Sequence, residues 1–96
     1  MLTIDVQGQT LIFKGELNRH TVPAVQPCKA LNGLQGTIEF RLGQLNHVDT
    51  AGLAWLLHQV ALSRQQQIEI RLTETPAQLC SLAKVSDVLS LLPIES

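Results

Sequence analysis

Aromatic side chains are nearly missing from this chain, with no tyrosine, two phenylalanines and one tryptophan in 96 residues. Its core must therefore come from Leu, Val and Ile, with each ring an isolated large piece. Long apolar runs are missing too: none reaches the roughly 20 residues of a membrane-spanning helix. The start lacks the basic segment, short apolar stretch and cleavage site of a secretion signal. A cytoplasmic protein is expected, peripheral to the inner membrane only through a partner. Charge is sparse, at 16% of residues with a net of −1. That leaves no electrostatic footprint for nucleic acid or for an anionic membrane surface. Cys28 and Cys80 are far apart and fit no metal or redox spacing, so they read as small apolar residues in a reducing compartment. His20, His47 and His58 lack the spacing of a zinc site. No metal, cofactor or small-molecule substrate is expected.

The chain is 45% hydrophobic, too apolar for intrinsic disorder. Its length suits one domain over residues 1–96, near the lower end of what sustains its own core. Leu2, Ile4 and Val6 alternate with Thr3 and Asp5, a half-buried strand. Gln7-Gly8-Gln9 turns the chain into a second strand over Thr10–Lys14, giving a hairpin. A polar connection follows from Gly15 to His20. A first helix then opens at Thr21 or Val22, with Val22, Val25, Cys28 and Leu31 as its stripe. Pro27 bends it or delays its start, and Asn32-Gly33 ends it. A third strand spans Thr37–Leu42 and a fourth Ile68–Leu72. A last helix is expected from the Thr75-Pro76 pair, with Thr75 as cap, carrying Leu79, Leu82, Ala83 and Val85. The tail, residues 86–96, reads as one helical turn or a short edge strand, ended by Pro93.

Strands three and four place Glu39, Arg41, Glu69 and Arg71 between apolar residues, so one sheet face is wet. The order β-β-α-β-α-β-α makes strands two to four parallel and sets the helices mainly on the other face. The fold class is α/β, a small mixed sheet of about four strands.

The stretch Asn46–His58 organises the chain. It reads as a strand that runs through a tight turn into a long apolar helix reaching Arg64. Thr50 stands where an N-cap belongs, and Asp49 puts negative charge at the positive end of the helix dipole. Gly52 admits close approach of another backbone. At 100° per residue, Leu53, Leu56, Leu57 and Val60 form one side, taken as the core face. Trp55, His58, Gln59 and Leu62 fall opposite, where a solvated helix should carry charge. That side reads as a contact surface, with Trp55 as its anchor.

Strand-to-helix passage through Asp-Thr-x-Gly, on a small mixed sheet, resembles the STAS domain. That family joins the anti-sigma-factor antagonists to the cytoplasmic tails of sulfate transporters. In the antagonists, Ser-Ser-Gly follows the Asp, and the first Ser takes a phosphate from a kinase. Thr50 matches that Ser and Ala51 the second. Val48-Asp49-Thr50, Gly52-Leu53-Ala54, Leu56-Leu57-His58 and Gly15-Glu16-Leu17 resemble more closely the STAS subunits of bacterial phospholipid-transport ABC complexes, although Ala51 stands where Gly is usual. The chain also ends without the final amphipathic helix of longer members. This resemblance implies a cytosolic subunit bound to the ABC transporter's ATPase subunit, supporting its assembly and activity.

Partner binding is therefore expected at Asp49, Thr50, Ala51, Gly52, Trp55, His58 and Leu62, with Arg19 and His20 on a loop at the same sheet edge. The alternative is a switch phosphorylated at Thr50, as in the antagonists. An enzyme built on His47, Asp49 and Thr50 is disfavoured. Asp49 and Thr50 are neighbours on one turn, and no second acid–base group or oxyanion site accompanies them.

Overall fold

The computed structural model describes residues 1–25, 31 and 33–95. Strand β1, Leu2–Gln7, pairs antiparallel with β2, Thr10–Leu17, without a break in register. Gly8, at φ +60°, makes the turn between them. Strands β2, β3 (Gly36–Val48) and β4 (Ile68–Thr73) are parallel, and the sheet order is β1-β2-β3-β4.

Both middle strands outrun their apolar alternation. β2 continues through Gly15 and Glu16 to Leu17, where a polar connection was expected. β3 begins at Gly36 and runs to Val48, well past Leu42. Register explains the excess. At two places, between Ile12 and Lys14 and between Gly15 and Glu16, β3 carries one more residue than β2. Such bulges break the period-two pattern that marks a strand in sequence.

The two faces of the sheet differ as expected. Leu11, Phe13, Ile38, Phe40, Leu42, Ile70 and Leu72 are buried beneath the helices. On the other face Arg41 bridges Glu39 and Glu74, Arg71 bridges Glu69 and Glu95, and Lys14 pairs with Asp5.

Helix α1, Thr50–Gln65, joins β3 to β4, and α2, Ala77–Val85, follows β4. The expected first helix opens as a 3-10 turn over Val22–Val25. Gln26 to Ala30 and Asn32, which include Pro27 and the stripe residue Cys28, lie outside the described residues. Thr75 is not the cap of α2. Pro76 holds the N-cap position without a side-chain bond, and the Thr75 hydroxyl is buried with no partner among the described residues. The tail combines the two alternatives expected for it, but Pro93 does not end it, since its pairing with β4 begins there and continues to Glu95. Leu89–Leu91 form a 3-10 turn, then Ile94 bridges Leu72 in parallel. The Leu72 N–H donates to the Pro93 carbonyl at 2.9 Å, and the Glu95 N–H to the Leu72 carbonyl at 2.9 Å. The far edge of β4 is thus covered at Leu72. No helix among the described residues is long and apolar enough to cross a membrane.

Candidate partner-docking site at the head of helix α1

The carboxyl ends of β2 and β3 deliver two connections side by side. One is the Asn18–Thr21 loop after β2. The other is the Asp49 junction between β3 and α1. Asn18 is buried, and its side-chain oxygen accepts from the N–H groups of His20 at 2.9 Å and Thr21 at 3.1 Å. The Thr21 hydroxyl donates to the Glu16 carbonyl at 2.9 Å. These short-range bonds satisfy the loop's backbone without regular structure.

Asp49 ties this loop to the helix. Its Oδ1 accepts from the Gly52 N–H at 2.9 Å, and its Oδ2 accepts from the Arg19 N–H at 3.1 Å. Asp49 is therefore the N-cap, and the expectation of Thr50 in that role is corrected. β3 pairs up to Val48, so the first residue free of the ladder is Asp49, and Thr50 already has helical geometry. Burial pushes the Asp49 carboxyl up. The bonds from the Gly52, Arg19 and Ala51 N–H groups, with nearby His47, outweigh burial and hold it below the ordinary carboxylate range.

Gly52 is the point of closest approach. A Cβ there would overlap the carbonyl oxygen of Leu17. Residue 78, which the sequence did not single out, secures the strand from the other side. The Val48 N–H donates to Gln78 Oε1 at 2.9 Å, and Gln78 Nε2 lies 3.4 Å from His47 Nδ1. β4 ends its pairing with β3 at Arg41, so Gln78 stands in for a missing strand at Val48. Its place in the first turn of a Pro-initiated helix was the one signal available.

The outward side of α1 is not the one expected. Trp55 is only 3% exposed and packs edge-on against Phe13, with ring centroids 5.9 Å apart. It belongs to the core, and its expected role as an exposed anchor is corrected. Gln59 and Ser63 are buried beside it. The core arc runs from Leu53 through Leu56 and Ser63 to Gln59 and Trp55, away from Leu57. Left outside are Thr50, Ala54, His58, Ala61 and Leu62, with Ala51 half-buried. No charged residue occurs on α1 before Arg64. Arg19 and His20 are exposed on the adjoining loop, as expected, with Arg19 Nε 3.4 Å from His20 Nε2.

Among the described residues, Val22, Ala51, Ala54, Trp55 and His58 line an open groove of about 390 Å³ between the 3-10 turn and α1. The Trp55 Nε1 has no hydrogen-bond partner among the described residues. Val22, expected on the stripe of the first helix, is here a wall of this groove. Among the described residues no three His, Cys, Asp or Glu side chains converge as a metal site would require.

No protein-family model matches the chain, and no curated protein matches it. Its architecture does match a solved structure, the anti-sigma factor antagonist SpoIIAA in its unphosphorylated form. The two superpose with a TM-score of 0.71 at 17% sequence identity, over all of this chain and 89% of the other. The chain has the STAS fold. In this STAS fold the Asp49–Gly52 turn sits at the carboxyl edge of the parallel strands, where open α/β sheets present their sites.

Proposed function

We propose that this chain is a non-enzymatic binding subunit that docks a partner protein on the outward face of α1 and the adjoining Arg19–Val22 loop. One observation carries the reading: Ala51, Ala54, His58, Ala61 and Leu62 form a face without charge on a helix whose opposite side is already buried. Solvated helices ordinarily place charge there. Both Asp49 oxygens accept from backbone N–H groups, so this carboxylate is committed to structure and not placed to activate Thr50. The sequence resemblance around Val48–His58 supports the finer assignment. The partner is the ATPase subunit of a phospholipid-transport ABC transporter, and the chain is an MlaB-like subunit, cytoplasmic and held at the inner membrane by that partner.

Co-expression with the ATPase subunit tests this. The unaltered chain should co-purify with it, and Ala54→Glu and Leu62→Glu should lose it while keeping the native circular dichroism spectrum. Undiminished co-purification of both variants would overturn the assignment of this face.

A second reading has its own support. Thr50 is exposed at the first position of α1, where a helix N-terminus favours a phosphate. A phosphorylation switch of the anti-sigma-factor-antagonist kind would show in intact-mass spectra of the protein from its native cell. A phosphorylated species lost in Thr50→Ala would favour the switch, and a single unmodified mass under all growth conditions would remove it.

A further inference from the structure

The acidic residues of this chain are segregated to one side. Asp5, Glu39, Glu69, Glu74 and Glu95 stand on or beside the open sheet face, paired with Lys14, Arg41 and Arg71. Glu16 pairs with the N-terminal ammonium at 3.3 Å. Asp87 lies beyond the end of α2. Between Leu17 and Ile68 the sequence holds only two carboxylates, Glu39 and Asp49. The first belongs to the far face, and the second turns both oxygens onto backbone N–H groups. Among the described residues no carboxylate stands on the outward face of α1 itself, and Glu69, paired with Arg71, comes beside Arg64 only at its β4 edge. Arg19, His20 and His58 are exposed along that face. The net charge of −1 hides this asymmetry.

We infer that the partner segment docked on α1 is an acidic amphipathic helix, an inference resting on the reading of α1 as a docking face. Three features of the face fit that occupant. Ala51, Ala54 and Ala61 are small enough for a second helix axis to lie about 8 Å away, at the close end of helix packing. The groove beside Val22 and Trp55 takes one larger apolar side chain. Carboxylates flanking that apolar stripe would meet Arg19 and His20 at the head of α1. Complementarity of this kind steers encounter and excludes basic competitors.

Two synthetic helices of about four turns test the inference without the natural partner. They share one Leu/Ala face, and their polar faces carry only Glu or only Lys. Each is titrated into the isotope-labelled protein at low ionic strength and followed by amide NMR shifts. The Glu peptide should shift Arg19, Ala51, Ala54, His58 and Leu62, binding about tenfold or more tightly than the Lys peptide and losing that preference in high salt. In the Arg19→Glu variant the preference should fall or reverse, while Trp55 fluorescence reports an intact core. Equal binding of both peptides, shifts confined to the open sheet face, or no binding by either overturns the inference. ATPase co-purification that fails while the Glu preference holds removes only the partner's identity. Co-purification lost in Ala54→Glu, with no preference between peptides, removes only its acidic character.

Discussion

Gly52 and Leu17 touch backbone to backbone: a Cβ on Gly52 would overlap the Leu17 carbonyl oxygen. The same carbonyl accepts from the Asp49 N–H at 3.3 Å, so it is fixed and cannot retreat. Gly52→Ala should therefore destabilise the fold by about 2 kcal/mol, the scale of an overpacked contact. This outweighs the gain of about 1 kcal/mol that Ala normally brings to a helix. The net loss of about 1 kcal/mol should lower the melting temperature of a domain of this size by roughly 6 °C. Calorimetry of the variant checks it, and an unchanged or raised melting temperature would contradict the close approach.

The capping assignment separates two neighbouring residues. Asp49→Ala should cost about 1–2 kcal/mol, because it frees the N–H groups of both Gly52 and Arg19. Thr50→Ala should stay within about 0.5 kcal/mol, as an exposed substitution away from any cap. Urea unfolding of the two variants measures the difference. Equal losses would return the cap to Thr50.

Acid should unfold the protein through two carboxylates. The Glu39 carboxyl is held below the ordinary range first by the Thr73 hydroxyl bond at 2.6 Å, against partial burial, with Arg41 and Thr10 assisting. Asp49 is held low by backbone N–H groups. A carboxyl whose folded pKa lies below its unfolded one adds stability that is complete above the unfolded pKa, near 4. That stability is lost as pH falls through the folded value. Urea midpoints should therefore be flat near neutrality and fall below about pH 4. Glu39→Gln and Asp49→Asn should each lower the neutral midpoint and flatten the acid slope. A midpoint as high at pH 3 as at neutrality would contradict these contacts.

Trp55 should behave as a core residue. Its emission should be blue-shifted and shielded from iodide quenching. Trp55→Glu should abolish folding, and Trp55→Ala should cost about 3–5 kcal/mol. A folded Trp55→Glu protein would restore the indole to the surface.

The strands were legible because Leu2, Ile4 and Val6, or Ile38, Phe40 and Leu42, alternate cleanly with polar neighbours. The ends of β2 and β3 were not, since bulges spoil that alternation. Asp49 and Thr50 are both good cap formers, and only the end of the β3 ladder decides between them. α1 was placed but turned the wrong way. Its buried arc contains Gly52, Gln59 and Ser63, residue types that a helical projection assigns to solvent. Phe13, distant in sequence, is what draws the indole inward. Thr50, Ala51, Arg19 and His20 stand together at the head of α1, because a Thr-x-Gly turn after a strand locates the sheet's carboxyl edge, while His58 and Leu62 lie about two and three turns further along the helix.

Hydrogen exchange, followed by mass spectrometry with and without the co-expressed ATPase subunit, tests the docking face most directly. Slowed exchange should fall on Arg19–Val22 and on the first three turns of α1, Thr50 to Leu62. Exchange unchanged there, or slowed on the open face of β3 and β4 instead, would contradict it.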